Sequence, residues 1–331
     1  MSTRCVTRFG LLVALMIAVV SCQSAEPTTA PPLTQVVAML DWFPNTNHTG
    51  LYVALDKGWY VDEGLAVEIV QPAEGSTLVQ VVAAGRADFG ISYQEEVSHA
   101  RAEDVPIVSV AAIIQHNTSG FASPRDRGIV RPKDLEGKRY GSWGSAIERA
   151  VLDALMACDG GDVAQVEFID IGYADYFTVV ERDVDFAWIF YGWTGMEAEL
   201  RGTPLNMVML SDWSECVPDY YTPVIITSER RIAEKPELVR SFMAATARGY
   251  EFAIANPAEA AEILLKHAPE SNPHLVQRSQ AWLSPHYQAD AARWGEQKLE
   301  IWQGYAKWMA DLELLPRHID AEEAFTNEFL P

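Results

Sequence analysis

Val36-Val37-Ala38-Met39-Leu40-Asp41-Trp42-Phe43-Pro44-Asn45-Thr46-Asn47-His48-Thr49-Gly50-Leu51-Tyr52-Val53-Ala54 holds one strand, one loop and the start of one helix. Val36 to Leu40 is a short unbroken apolar run, the pattern of a strand covered on both faces in a parallel sheet. Pro44 and Asn45 place a turn after it. Thr49 to Lys57 then carries apolar residues at Leu51, Ala54 and Leu55 and stops at Gly58, a helix C′ position.

The same alternation continues outward. Leu65, Val67 and Ile69 alternate as a strand, and Leu78, Val81 and Val82 share a helix face that ends near Gly85. Strands follow at Phe89 to Tyr93 and Ile107 to Ile114, with a helix over Glu95 to Glu103 between them. The pattern restarts after Pro132. Arg139 to Trp143 reads as a strand, and Ser145-Ala146-Ile147-Glu148 matches a capping box that opens the next helix. Val166 to Ile171, Phe186 to Phe190 and Met207 to Leu210 are further strands, and Tyr221 to Thr227 is extended. Beyond Arg230 helices are predicted over Glu237 to Ala255, Ala258 to His267, His274 to Leu283 and Arg293 to Leu312. The fold class is α/β with largely parallel sheets. Two β/α series joined by two extended crossings predict two lobes with a hinge and a cleft between them.

The N-terminus differs from this body. Arg4 and Arg8 precede an apolar run from Phe9 to Val20, too short to span a bilayer but suited to a signal-peptide core. It ends in Val19-Val20-Ser21-Cys22, which resembles a bacterial lipobox. Residues 1–21 are therefore read as a lipoprotein signal peptide, and Cys22 as the lipidated residue. Residues 22–33, rich in Thr and Pro, are read as a flexible tether. The implied location is the outer, extracytoplasmic face of the cell membrane.

The 331 residues carry a net charge of −21, and −23 without residues 1–21, which hold Arg4 and Arg8 and no acid. Such a surface offers no electrostatic footprint for nucleic acid. Cys158 and Cys216 are the two cysteines of the body, and spacing alone does not decide whether they pair. Closely spaced His and Cys are absent, so no metal site is read, and no cofactor is expected.

Asp41 to Ala54 resembles the opening signature of the thiamine-precursor and riboflavin-binding proteins of bacterial ABC importers. Gly85-Arg86-Ala87-Asp88-Phe89-Gly90, Val110-Ala111-Ala112-Ile113-Ile114-Gln115-His116-Asn117-Thr118-Ser119-Gly120 and Asp134-Leu135-Glu136-Gly137-Lys138 fit the same family. The resemblance covers about residues 35–331. It implies a type II periplasmic-binding fold, with lobe one made of 34–121 and 226–331 and lobe two of 122–225. It also implies a small vitamin ligand between the lobes, and as partners an ABC permease and, through it, an ATPase. The aromatic content looks closest to the riboflavin branch, which makes riboflavin the first ligand choice and a hydroxymethyl- or formylamino-pyrimidine the second.

The candidate ligand residues sit at predicted strand ends, where open α/β sheets bind ligands. Trp42, Tyr93, Trp143, Trp188, Tyr191, Trp193 and Tyr220 offer ring faces. Asn45, His48, Glu95, Gln115, Asn117, Glu148 and Asp219 offer polar groups. Each also has a structural reading: turn chemistry for Asn45, a dipole contact for Glu95, the capping box for Glu148. Trp302, Tyr305 and Trp308, spaced three apart on a predicted helix, read as packing residues. The chain has no G-x-S-x-G elbow, P-loop or dinucleotide fingerprint. A pyrimidine synthase of the same fold uses a cysteine-rich run, whereas residues 191–195 here read Tyr-Gly-Trp-Thr-Gly. The expected activity is binding and release without chemistry. A receptor coupled to a sensor is a further class that only the neighbouring partner would separate.

Overall fold

The computed structural model describes residues 1–2, 32–72, 78–172 and 174–331. Cys22, nearly all of the signal segment and most of the tether lie outside the described residues.

Two five-stranded sheets organise the body. The first contains β1 (Thr34–Met39), β2 (Leu65–Val70), β3 (Phe89–Ser92), β4 (Ile107–Ala112) and β10 (Val224–Ser228), in the order β2-β1-β3-β10-β4. The second contains β5 (Ser119–Pro124), β6 (Arg139–Ser142), β7 (Glu167–Asp170), β8 (Phe186–Phe190) and β9 (Leu205–Met209), in the order β7-β6-β8-β5-β9. The fold class expected from the sequence holds, and the strand pattern accounts for it: β3 and β4 are buried at every position, apolar apart from Gly90, Ser92 and Ser109.

The sheets are mixed rather than uniformly parallel. β10 runs antiparallel to β3 and β4, and β5 runs antiparallel to β8 and β9. The physical reason is connectivity. Strands β1, β3 and β4 end at the seam between the sheets, as do β6 and β8. A chain that crosses the seam therefore enters the next sheet from its carboxyl end and has to run backwards. β5 was not predicted as a strand, because Ser119, Gly120 and Ser123 break its apolar pattern.

The expected lobe limits at 121/122 and 225/226 fall inside β5 and β10. By sheet membership the crossings are residues 113–118 and 210–223. Most of the C-terminal segment packs on the first sheet, but one of its helices also reaches the second. Helix Leu299–Asp311 places Trp302 in the core beside β4 and β10, but Tyr305 and Met309 in the core of the second sheet with Phe121, Tyr140 and Phe186. Burial of each such side chain contributes roughly 1.5–3 kcal/mol, so this one helix is anchored on both sides. The helix begins six residues later than predicted. Arg293 instead donates to the carbonyls of Leu330 and Pro331, and Gly295 pairs with Ala112 at φ +85°.

Cys158, closing helix Ala146–Cys158, forms a disulfide with Cys216 in the second crossing, with a Cα–Cα distance of 5.9 Å.

Candidate ligand site

The loop after β1 is built from its own polar groups. The Asn45 Oδ1 accepts from the Asn47 N–H at 2.9 Å, and its amide donates to the Phe43 carbonyl at 3.1 Å. His48 Nδ1 accepts from the Asn45 N–H at 3.2 Å, and Nε2 therefore carries the hydrogen that faces Asp41 Oδ1 at 2.6 Å. Tyr93 donates to the other Asp41 oxygen at 2.6 Å. Burial alone would raise the Asp41 carboxyl; the His48 ring and the Tyr93 hydroxyl overcome it and hold it below the usual carboxylate range. Gly50 matters for a steric reason: a Cβ there would lie 2.2 Å from the Tyr250 ring, whose hydroxyl bonds the Asn47 carbonyl at 2.7 Å.

The network gives two of the expected ligand residues a structural task. Asn45 and His48 are spent on holding the loop, and fully buried His48 has both ring nitrogens engaged. What the loop presents outward is Trp42, 42% exposed, with Phe43 edge-on to it at 6.0 Å.

The second sheet presents a matching arrangement. Glu148 is fully buried and accepts from the Tyr140 hydroxyl, the Ser142 hydroxyl and the N–H groups of Trp143 and Ser145. It holds the β6 end and starts the helix, as the capping box implies. The residue it positions is Trp143, 41% exposed, whose ring tilts against Trp188 at 5.4 Å. Trp188 in turn donates from Nε1 to the Ser119 hydroxyl at 2.8 Å.

The crossings lie between these two loops. Asp219 accepts from the N–H groups of Asn117 and Tyr220 and pairs with His116 Nδ1 at 2.6 Å. It ties one crossing to the other instead of offering a free carboxylate. Gln115 is buried and donates to the Glu296 carbonyl at 2.9 Å, again a structural use. Asn117 is 3% exposed; its Oδ1 accepts from the Ser119 N–H and hydroxyl, which leaves its NH2 as the uncommitted end. Tyr220 stacks on Tyr305 with centroids 4.3 Å apart. Glu95 stands close to both phenols, and burial pushes its carboxyl up to about 8.

Tyr191 and Trp193 lie in a single wide π-helical turn, Tyr191–Gly195, directly after β8. The Tyr191 hydroxyl donates to Glu199 at 2.8 Å and its ring tilts against Trp282, while Trp193 packs on the core of the first sheet. Both therefore serve contact between the halves. Two surface hollows, of about 560 and 240 Å³, lie beside Asp56 and Lys266 and beside Arg149 and Leu312; neither is lined by a candidate residue.

Sequence reasoning missed Asp41, Ser119 and Tyr305 as members of this arrangement. Asp41 and Ser119 stood inside the family motifs without a role. The helical spacing of Tyr305 correctly marked a packed ring and carried no sign of where its hydroxyl points.

A protein family described as NMT1/THI5 like matches residues 45–260. The chain belongs to that family. Among its relatives is the formylaminopyrimidine-binding protein of Halalkalibacterium halodurans, 30% identical over 96% of this chain and 98% of the relative. A 4-amino-5-hydroxymethyl-2-methylpyrimidine phosphate synthase of Legionella pneumophila is 25% identical over 90% and 93%. The riboflavin-binding protein RibY of Chloroflexus aurantiacus is 28% identical over 98% and 97%. In structure, the alkanesulfonate-binding protein SsuA of Xanthomonas axonopodis pv. citri superposes with a TM-score of 0.68 over 90% of this chain and 99% of SsuA, at 15% identity. The chain has the two-sheet periplasmic-binding-protein fold, and within NMT1/THI5-like proteins that fold serves both binders and synthases.

Proposed function

We propose that this chain is the extracytoplasmic solute-binding component of an ABC importer, and that it captures a 4-aminopyrimidine of the formylaminopyrimidine class without transforming it. The observation that carries the reading is the pair of half-exposed indoles, Trp42 and Trp143, that follow the carboxyl ends of strands from opposite sheets. Aromatic faces on fixed loops suit a small planar ring. The near full-length kinship with a formylaminopyrimidine-binding protein moves the pyrimidine ahead of riboflavin, which the sequence alone had favoured. Delivery to a permease and its ATPase, and anchoring through a lipid on Cys22, complete the proposal.

Binding without turnover is supported by the cysteines. Cys158 and Cys216, the cysteines among the described residues, are tied to each other, and the Tyr191–Gly195 turn has none.

Calorimetric titration with 4-amino-5-hydroxymethyl-2-methylpyrimidine and with its formylamino counterpart tests the proposal. Saturable binding with unchanged ligand on recovery is expected, and ligand at one hundred times Kd should stabilise the protein by about 2.7 kcal/mol. Recovery of a chemically altered ligand would overturn the binding-only reading. Riboflavin is the second reading, favoured by the relative named for it and by the Trp143–Trp188 pair. Quenching of riboflavin fluorescence by excess protein, with no response to the pyrimidines, would put it first.

A further inference from the structure

Three polar atoms near the crossings are shut off from water and make no hydrogen bond of good geometry among the described residues: Glu95 Oε2, and Asn117 Nδ2 and the Tyr305 hydroxyl, which both stand beside the Tyr220 hydroxyl. They are neighbours. Tyr305 stacks on Tyr220, the Asn117 side chain lies by the Tyr220 hydroxyl, and Glu95 acts on both phenols. A buried polar atom left unpaired loses its water without recompense, and native proteins tolerate few of them. Three together, on side chains that come from helix Gln94–Ala102, the first crossing and helix Leu299–Asp311, are not an accident of one loop.

We propose that Glu95, Asn117 and Tyr305 form the polar end of the ligand site and read the edge of an aminopyrimidine at which a ring nitrogen adjoins the amino-bearing carbon. This deepens the reading above and rests on it. Asn117 Oδ1 is already committed to Ser119, so its NH2 is the end free to donate, and a ring nitrogen accepts it. Glu95 Oε2 is free to accept from the ring amino group. The carboxyl stays uncharged near neutral pH because burial and the adjacent Glu96 push it up, so a neutral ring meets no unpaired charge. Tyr305 can rotate its hydroxyl to donate or accept at the third position. The stacked Tyr220 and Tyr305 rings close one side of the group. No part of this was legible in the helical spacing of Tyr305.

The test uses the intact protein and two probes: 4-amino-5-hydroxymethyl-2-methylpyrimidine and the same compound without its ring amino group. The unaltered protein should prefer the amino compound by at least about tenfold, the effect of one well-made buried hydrogen bond. Glu95→Leu should lose that preference, binding the amino compound at least about tenfold more weakly and the other compound unchanged. Tyr305→Phe, which keeps the stacked ring, should weaken the amino compound several-fold. Glu95→Leu should melt no lower than the parent without ligand, because it removes a buried unpaired atom. If the unaltered protein binds neither probe, the proposed function itself falls. If it binds the amino compound and Glu95→Leu keeps both the affinity and the preference, the function stands and this assignment is wrong. An unchanged Kd for Tyr305→Phe removes Tyr305 from the group.

Discussion

Tyr305 stacks on Tyr220 at 4.3 Å, with the two rings 20° from parallel, although the first stands on a C-terminal helix and the second on the crossing between the sheets. Three residues earlier on the same helix, Trp302 lies parallel to Phe325 on the other side, 2° from coplanar orientation. One helix thus takes part in both halves of the protein.

Tyr305→Ala should therefore be costly. Removing a fully buried aromatic ring typically costs about 3–5 kcal/mol, and urea unfolding followed by tryptophan fluorescence should read a loss in that range. Trp302→Ala should cost a similar amount. Ligand affinity, measured where each variant remains folded, should fall with Tyr305→Ala and stay within about twofold with Trp302→Ala, since a site far from the ligand adds nothing to binding.

His116 sits between Asp219 at 2.6 Å and Asp290 at 2.9 Å, with Lys298 3.5 Å from Asp290. Burial pulls the His116 ring down, but the hydrogen bonds and charges of the two carboxylates outweigh it and hold the ring above 6.5. A folded value above the unfolded one means stability that is fully present below pH 6.5 and is lost as pH rises through the raised value. His116→Asn should remove this component. The melting-temperature gap between parent and variant should be largest near pH 6 and close as pH rises. The ring is 45% exposed, so the gap is small, roughly below 1 kcal/mol, and should shrink in high salt.

The disulfide joins residues 58 apart in sequence. A cross-link over a loop of that length stabilises by about 2–4 kcal/mol. Reduction, or Cys158→Ser with Cys216→Ser, should lower the melting temperature accordingly. Ligand affinity should change less than about twofold, because the bridge fastens the far end of a helix and not its start beside Trp143.

Trp143→Ala separates binding from stability. Trp143 is 41% exposed, and its contact with the Trp188 ring contributes about 0.5–1.5 kcal/mol to folding, whereas a ring stacked on ligand contributes more than 1.4 kcal/mol through burial and stacking, or about tenfold in Kd. Calorimetry should show a tenfold or greater loss, and differential scanning should show a melting temperature lowered by no more than a few degrees. An unaltered Kd would remove Trp143 from the site.

Much of the fold could be read in the sequence because its signals are local. Apolar runs, alternation and extended segments marked nine of the ten strands of the described residues, and the Ser145–Glu148 box fixed the start of its helix. β5 escaped because a strand buried among neighbours can be written in small polar residues when those residues find partners, as Ser119 does with Asn117 and Trp188. Strand ends pointed to loops; how each loop's side chains divide their labour was not legible. Which side chain faces outward and which is used inside the loop depends on partners that periodicity does not show: Asn45 and His48 brace their own loop, and Tyr305 brings a buried hydroxyl up to Tyr220.

The backward course of β5 and β10 has a consequence for how such chains diversify. Every connection at the seam end can alter what is held, whereas the turns at the opposite ends, around Gly64, Gly85 and Gly137, are remote from it. Selection can rewrite one rim of the molecule while the other drifts or adapts to a different task. Relatives named for a pyrimidine, a flavin vitamin and a biosynthetic reaction can therefore descend from one ancestral backbone without any change to its strand order.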